Sequence, residues 1–174
     1  MSQRTERGLR LLMALGLVVL VFGIYRSFRQ EVIEVGDTAP EFSIAADDGR
    51  TVTRSGFGGK LLVVNFWATW CPPCVTEMPS LSQFQQNFAA QGVVVLGVSV
   101  DRNERAYRRL LAQKQVAFLT ARDPEARISS RFGTFKYPES YLIDRNGRVV
   151  QKIIGPANWT DVGMVNQIKA LLKS

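Results

Sequence analysis

The chain has 174 residues, 46% of them hydrophobic, a size and composition that fit one folded domain with an appendage. The formal net charge is +7, and the basic residues are scattered along the sequence apart from one cluster, Arg102, Arg105, Arg108 and Arg109. That cluster lies on a helical pattern with leucines on its other side. We therefore interpret it as a solvated helix face and expect no nucleic-acid binding.

The N-terminal region contains an uncharged run, residues 11–25, with arginines before and after it. As a helix it covers about 22 Å, against a hydrocarbon core of about 30 Å, and arginines that snorkel make up the difference. We predict a cytoplasmic tail at 1–10, a transmembrane signal-anchor at 11–25, a linker at 26–35 and a folded domain at 36–174. A cleaved signal peptide is the alternative, although no small-residue cleavage site follows the run.

The arginines before the run favour an N-terminus inside the cytoplasm, although Arg26 and Arg29 weaken this asymmetry. The folded domain is therefore expected outside the cytoplasm. It opens with a predicted β-hairpin, because two short runs of alternating hydrophobic residues, 40–46 and 50–54, flank an Asp-Asp-Gly turn. After a glycine-containing loop, the apolar run 61–68 predicts a buried strand.

The two cysteines of the chain, Cys71 and Cys74, lie directly after this strand and before a helical pattern that extends to about Gln91. The C-x-x-C spacing is typical of a reversible dithiol/disulfide pair. A strand-to-helix junction also puts the first sulfur at a helix N-terminus, where the helix dipole favours an anion. We therefore interpret the pair as redox-active.

Other chemistry for the two cysteines fits the sequence less well. An intact zinc site needs four ligands, and the chain has no third cysteine and no histidine. Covalent haem attachment needs a histidine directly after the second cysteine, where this chain has Val75. A purely structural disulfide would close a very short loop, the kind that stabilises least. A Cu(I) site with two thiolates stays open as an alternative.

The remainder of the chain alternates strand and helix patterns. Strands are predicted at 93–100, 117–121, 140–144 and 148–154, and helices at 104–115 and 125–132. A final helix, capped by Asn158 or Thr160, carries an apolar stripe made of Val162, Val165, Ile168, Leu171 and Leu172. This order predicts a mixed central sheet covered by helices.

Together these patterns resemble the thioredoxin-fold, membrane-anchored thiol-disulfide oxidoreductases of bacteria, the group of ResA, TlpA and CcmG (DsbE). The resemblance covers roughly residues 36–174. It is carried by the strand and loop 65–74, by Pro79, and by 136–144, which is similar to the family's cis-proline segment. It implies an α/β, thioredoxin-like fold with a mixed central sheet flanked by helices, an N-terminal β-hairpin and one extra strand-helix unit.

The resemblance also implies a role for each active-site position. Cys71 is expected to attack a partner disulfide, and Cys74 is expected to resolve the mixed disulfide that results. Pro138 is expected to be the cis-proline that faces the cysteines, and Tyr137 offers its backbone to an extended partner chain. Trp70 is the tryptophan of the W-C-x-x-C motif, and we place it in the supporting part of the site.

One departure from cytoplasmic thioredoxins concerns the base for the second thiol. Asn65 stands where those proteins carry a buried aspartate, and an amide accepts no proton at neutral pH. The ResA group places a functional glutamate where this chain has Glu77, three residues after Cys74 on the same helix face. We therefore expect Glu77 to accept the proton of Cys74. The alternative is an exposed glutamate on the helix surface.

A second departure is Pro72 and Pro73 between the cysteines. Neither proline has an N–H, so a Cys71 thiolate keeps chiefly the N–H of Cys74 and the helix dipole as stabilising groups. A less stabilised reduced form makes a more reducing couple. We therefore expect the pair to reduce partner proteins rather than oxidise them.

These expectations describe a single-pass protein of the bacterial inner membrane whose catalytic domain faces the periplasm or extracytoplasmic side. By resemblance, its substrate is the disulfide of apocytochrome c, its electron donor is a membrane thiol transporter of the DsbD or CcdA type, and it needs no cofactor or metal. A general periplasmic disulfide reductase or isomerase is the alternative within the same chemistry. A peroxiredoxin-like peroxidase and a Cu(I)-binding chaperone are the alternatives from other classes.

Overall fold

The computed structural model of the protein describes residues 12–23 and 32–173. The chain divides into two compact units, Met1–Glu31 and Val32–Ser174. In the first unit residues 12–23 are helical, while the predicted tail and both ends of the predicted anchor lie outside the described residues. Within the described ranges, no helix has the length and apolar character that crossing a membrane requires.

A five-stranded mixed sheet forms the centre of the second unit. Between residues 32 and 173 the strands are β1 (Ser43–Ala45), β2 (Thr51–Thr53), β3 (Leu61–Trp67), β4 (Val93–Ser99), β5 (Leu119–Arg122), β6 (Glu139–Asp144) and β7 (Val149–Ile154). In the large sheet the spatial order is β5-β4-β3-β6-β7, with β3, β4 and β5 parallel and β6 and β7 antiparallel to their neighbours. β1 and β2 form a separate antiparallel hairpin.

Helices connect these strands and cover the sheet. The helices of the second unit are α1 (Pro72–Phe88), α2 (Glu104–Lys114), α3 (Arg127–Arg131) and α4 (Val162–Leu171). A 3₁₀ turn, Ala89–Gln91, extends α1, and Gly92 ends it with a φ of 90°. That left-handed conformation favours glycine, which is why the predicted end of this helix is found there.

The central strand β3 supplies side chains to two hydrophobic cores. All of its side chains are buried, and because successive residues of a strand point to opposite faces, they divide between two clusters. Leu61 and Val63 pack with side chains of α1, α2 and α4. Leu62 and Val64 pack with the β1–β2 hairpin and Phe132. This packing fixes the C-terminal end of β3, from which the cysteine loop continues.

The observed architecture confirms the predicted fold class, with differences at element ends. The strand predicted at 117–121 is Leu119–Arg122. The cap of α4 is wrong in the prediction, because Asp161 accepts the N–H of Gly163 at 2.8 Å. Asn158 instead closes the preceding turn by accepting the N–H of Thr160 at 3.1 Å.

The apolar stripe of α4 starts later than predicted. Val162 is 72% exposed, because it is the first residue of the helix and precedes the turn that reaches the sheet. Ile168 is fully buried, and Val165 and Leu171 pack against the same core in part. The helix therefore contributes through its middle and end.

The second compact unit begins at Val32, within the segment 26–35 that the sequence predicts as a linker. The N–H of Gly36 donates to the carbonyl of Val149 at 2.8 Å, and Lys152 Nζ donates to the carbonyl of Ile33 at 2.9 Å. β7 is an edge strand with unpaired backbone groups, and this segment satisfies some of them. The remaining linker residues, 26–31, lie outside the described residues.

Candidate active site

The two cysteines lie where β3 gives way to α1, and they form a disulfide in this structure. Cys71 is the N-cap residue of α1, and Cys74 is the third residue of the helix. Both cysteines are buried, and Cys71, at 6% exposed, is the more accessible residue, since Cys74 is 1% exposed. Among the described residues, no group of three or more histidine, cysteine, aspartate or glutamate side chains could hold a metal ion.

The start of α1 offers few hydrogen-bond donors to Cys71. Pro72 and Pro73 occupy its first two positions, and neither has an N–H. The N–H of Cys74 donates to the sulfur of Cys71 at 3.3 Å. This is the contact that the sequence predicts, and a Cys71 thiolate would keep it together with the helix dipole.

The cis-proline segment lies at the same end of the sheet as the cysteines. The Tyr137–Pro138 peptide bond is cis, as predicted. Pro138 directly precedes β6, whose first residue, Glu139, pairs with Phe66 near the end of β3. The Trp70 ring is 65% exposed and meets the Tyr137 ring edge to face, with 5.8 Å between ring centres. Sequence reasoning missed Phe135, another exposed aromatic residue of this segment.

Glu77 lies inside the protein, one helical turn after Cys74. It is only 5% exposed, so the alternative of an exposed surface glutamate is wrong. Its Oε1 accepts the amide of Asn65 at 2.8 Å, and its Oε2 accepts the backbone N–H of Ala157 at 3.0 Å. The same Asn65 amide also donates to Ser140 Oγ at 2.9 Å. The Asn65 amide on β3 therefore orients the Glu77 carboxyl group on α1.

Burial determines the electrostatic character of this carboxyl group. Loss of solvent raises the pKa of Glu77 above its ordinary value, and the hydrogen bonds from Ala157 and Asn65 offset part of that rise. A carboxyl group with a raised pKa accepts and returns a proton at neutral pH more readily than an ordinary glutamate. The arrangement can therefore move a proton next to the second cysteine.

A buried aspartate holds the loop that leads to the cysteines. Asp101 accepts the N–H and the hydroxyl of Thr69 at 2.8 and 2.6 Å, and the hydroxyl of Ser99 at 2.7 Å. Asp101 directly follows the strand that the sequence predicts at 93–100, and sequence analysis gives it no role. The position of Asp101 near the cysteine loop could have been predicted, because β3 and β4 are parallel. The residues that follow their C-terminal ends therefore lie at the same edge of the sheet.

The β7–α4 loop is the part of the site that no sequence pattern indicates. It brings Ala157 and Trp159 against the turn of α1 that carries Glu77, although 80 residues separate Ala157 from Glu77. The N–H of Trp159 donates to Ser80 Oγ at 3.3 Å. Such a contact depends on how α1 and the loop pack over the sheet, so spacing alone gives no sign of it.

Comparison with known proteins gives relatives that match most of the length of this chain. The Redoxin family profile matches residues 34–172. The thiol-disulfide oxidoreductase ResA of Bacillus thuringiensis subsp. konkukian is 32% identical over 136 residues, 77% of this chain and 79% of that protein. ResA of Geobacillus thermodenitrificans is 31% identical over 148 residues, 84% of this chain and 85% of that protein.

Solved structures agree with these sequence relatives. A structure from Chlorobium tepidum, assigned as a thiol:disulfide interchange protein DsbE, is 33% identical with a TM-score of 0.73, and the match covers 80% of this chain and 99% of that one. The StoA structure from Bacillus subtilis, at 20% identity and a TM-score of 0.64, shares the fold. The chain therefore belongs to the Redoxin family and is a thiol-disulfide oxidoreductase of the ResA type, with a thioredoxin-like fold.

Proposed function

We propose that this oxidoreductase works outside the cytoplasm, held to the bacterial inner membrane by residues 11–25, and that it reduces disulfides of partner proteins. The observation that carries the chemical part is the Cys71–Cys74 disulfide at the start of α1, one turn before the buried carboxyl group of Glu77. The uncharged run and its flanking arginines support the anchor. Disulfides persist outside the cytoplasm, so a reductant has substrates there.

The proposed reaction is thiol-disulfide exchange in two steps. The Cys71 thiolate attacks one sulfur of a partner disulfide, forms a mixed disulfide and releases the other partner sulfur as a thiolate. Cys74 then gives its proton to the Glu77 carboxylate, and the Cys74 thiolate attacks the sulfur of Cys71. The Cys71–Cys74 disulfide forms, and the second partner sulfur leaves as a thiolate. The partner gains two electrons, which the protein loses, and both partner thiolates take up protons.

The surroundings of the cysteines support this assignment of roles. Pro72 and Pro73 leave the Cys71 thiolate with few donors, which favours the disulfide form and makes the pair a reductant. Tyr137 precedes the cis-proline and offers its backbone to an extended partner segment. Trp70 is exposed beside the Tyr137 ring and provides an apolar surface for that segment.

We propose the disulfide of apocytochrome c as the substrate, reduced before haem attachment. Oxidised protein would be restored by two electrons from a membrane thiol transporter of the DsbD or CcdA type. The basis is the Tyr-Pro-Glu-Ser sequence at 137–140, which resembles the cytochrome-maturation members of the family. No bound cofactor enters this cycle.

Trapping the natural partner tests the proposal. In Cys74→Ser the resolving thiol is absent, so the partner should remain on Cys71 as a mixed disulfide that mass spectrometry identifies. Cys71→Ser is the matched control, and it should trap little because its remaining thiol, on Cys74, belongs to the more deeply buried residue. Recovery of cytochrome c precursors supports the proposed substrate. A broad mixture of proteins would instead indicate a general reductase or isomerase, and no trapped protein would contradict the exchange mechanism.

A further inference from the structure

A lysine side chain is enclosed on the face of the central sheet that α1 does not cover. Lys152 lies on β7 and pairs in register with Tyr141 of β6, which belongs to the same core as Phe132. Alternate residues of a strand share a face, so Glu139 of β6 lies there as well. The Lys152 side chain is only 5% exposed. Lysines are rarely buried this deeply unless their charge is paired, so the partners of this one indicate its role.

Three oxygen atoms of the described residues lie around the Lys152 ammonium group. Nζ donates to the carbonyl of Ile33 at 2.9 Å and to Glu34 Oε1 at 3.1 Å. The third oxygen is Glu139 Oε1, at 3.5 Å. The Glu34 side chain is 65% exposed, whereas the Glu139 side chain is 6% exposed. The ion pair with Glu139 is therefore the one that solvent and salt screen least.

Glu139 directly follows the loop 132–138, which carries the proline next to the cysteines. The Tyr141 hydroxyl oxygen lies 3.0 Å from Glu139 Oε1 and 3.0 Å from the carbonyl oxygen of Phe132, and its one proton is shared between them. The Thr134 hydroxyl donates to the same Tyr141 oxygen at 3.2 Å. One polar network therefore holds the loop at its first residue and at the residue that follows its last.

The N-terminal segment of the second unit completes this network. The N–H of Ile33 donates to the carbonyl of Phe132 at 3.3 Å, and the carbonyl of Ile33 accepts from Lys152. Lys152 Nζ also lies 5.5 Å from the centre of the Tyr141 ring, where the face of the ring attracts a cation. Lys152 thus connects the first residues of the folded unit to the end of the loop 132–138.

A buried ion pair is by itself a weak source of stability. Apolar side chains of similar volume often stabilise a fold equally well, so the Lys152–Glu139 pair calls for a further explanation. Its location suggests one. The loop that it holds contains Tyr137, whose backbone is proposed above to receive the partner segment, and the hold comes from the sheet face away from α1. The pair can therefore fix the loop without taking part in the chemistry of the cysteines.

We propose that Lys152 is a positioning residue for thiol-disulfide exchange, which acts through Glu139 to hold the loop 132–138 where a partner segment docks. Main-chain pairing with an extended partner needs the backbone of the loop at a fixed place, and an enclosed ion pair directly after the loop provides that. The effect on catalysis rests on the proposed docking of the partner beside Tyr137, whereas the hold on the loop does not.

A double variant separates positioning from stability. Lys152→Met alone leaves the Glu139 charge enclosed without its buried partner and should lower the midpoint of urea unfolding. Lys152→Met with Glu139→Gln removes both charges and keeps an acceptor for Tyr141, so its midpoint should return close to that of the wild type. If Lys152 only balanced a charge, this double variant would match the wild type in the two assays below. If it does not fold, Glu139→Gln alone, in which the ammonium group keeps Glu34, takes its place.

Amide hydrogen exchange of the oxidised, full-length protein in detergent measures the hold on the loop directly. The N–H of Gly155 donates to the carbonyl of Pro138 at 2.9 Å, and the N–H of Thr134 donates to the carbonyl of Ser129 at 3.0 Å. Both amides should exchange about tenfold faster in the double variant. The N–H of Gly92, hydrogen-bonded where α1 ends, is the internal control and should not change. Unchanged exchange at Thr134 and Gly155, or an equal rise at Gly92, would overturn the proposal.

Reduction of two probe disulfides tests the consequence for catalysis. The reduced protein passes two electrons to either probe, a linear peptide with an internal C-x-x-C disulfide or hydroxyethyl disulfide, and its own cysteines form their disulfide each time. The double variant should react about tenfold more slowly with the peptide, which needs the loop, and at the wild-type rate with hydroxyethyl disulfide, which has no backbone to dock. Equal slowing towards both probes would contradict a positioning role.

Glu34→Gln is the matched control, because it removes the exposed partner of the same ammonium group. Its rates with both probes should stay within about twofold of the wild type, since exposed ion pairs contribute little. A loss in Glu34→Gln as large as in the double variant would show that the enclosed pair has no special role.

The two assays separate this inference from the proposed function. If exchange at Thr134 and Gly155 rises but the peptide reacts at the wild-type rate, the hold on the loop stands and the proposed docking beside Tyr137 fails. If the peptide reaction slows while exchange at both amides stays the same, the docking stands and the positioning role of Lys152 fails.

Discussion

Glu77 and Cys74 lie one turn apart in α1, and both side chains are almost entirely enclosed. Burial disfavours a charge on either group, so a proton can pass from the thiol to the carboxylate without creating a second enclosed charge. Asn65 holds the carboxyl group from the neighbouring strand and cannot take the proton itself. At the scale of single residues, the acid-base function therefore resides in Glu77.

Replacement of Glu77 by glutamine tests this assignment. Glu77→Gln keeps an acceptor for Asn65 but no proton acceptor, so resolution of a mixed disulfide on Cys71 should slow at least about tenfold near neutral pH. Stopped-flow measurement with a preformed mixed disulfide gives this rate. Glu125→Gln, at an exposed glutamate paired with Arg127, is the control and should match the wild type. Equal rates for Glu77→Gln and wild type across the pH range would refute the assignment.

At the scale of elements, the N-terminus of α1 sets the balance between dithiol and disulfide. A helix N-terminus with all its N–H groups would stabilise a thiolate at the cap position strongly. Pro72 and Pro73 remove two of those groups and leave the contact from Cys74 to the sulfur of Cys71. The helix dipole remains, so the thiolate is favoured, but less than it would be at an ordinary helix start.

Restoring one donor should make the couple more oxidising. Pro73→Ala adds an N–H at the second helix position, from which a cap side chain can accept, so the pKa of Cys71 should fall. The reduction potential should rise by up to about 30 mV, equivalent to about 1.4 kcal/mol. Equilibration with glutathione buffers measures the potential. Pro72→Ala is the control, because it adds its N–H at the first helix position, and its reduction potential should rise less. An equal rise in the reduction potential of both variants would count against the capping explanation.

At the scale of the whole molecule, the buried carboxyl group links folding to pH. In the unfolded chain Glu77 ionises near its ordinary pKa of 4.5, whereas burial raises its pKa in the folded protein. The folded state therefore holds this proton more tightly than the unfolded state does. The contribution of the neutral acid to stability is complete below the unfolded pKa and is lost as the pH rises through the folded pKa.

This linkage predicts how the free energies of unfolding of the wild type and of Glu77→Gln differ across the pH range. The free energy of unfolding of the oxidised wild type, relative to Glu77→Gln, should fall as the pH rises above 4.5, by up to about 1.4 kcal/mol per pH unit until Glu77 ionises. Urea unfolding without reductant, at intervals from about pH 4 to pH 8, measures both proteins. A difference that stays constant or increases with pH would show that the folded state does not raise the pKa of this group.

Several features of the molecule follow from sequence patterns because their causes are local. The hairpin depends on a turn between two short alternating runs, and the position of the cysteines depends on a strand followed directly by a helix. The end of α1 depends on Gly92, whose conformation favours glycine. The sequence nevertheless predicts the wrong N-cap for α4. Asn158 and Asp161 are both good capping residues, and the packing of the loop selects between them.

By itself, the sequence determines the alternation of strands and helices, the C-x-x-C pair and the two prolines between the cysteines, because each depends on neighbouring residues or a short repeat. Only the tertiary structure decides that Glu77 is enclosed rather than exposed, that Asp101 holds the loop before Cys71, and that Trp159 reaches the turn of Glu77. The physical reason is that burial and hydrogen-bond partners are set by elements far apart in the chain. A helical pattern shows which residues share a face, but the sheet and the loop packed against that face decide what the residues meet.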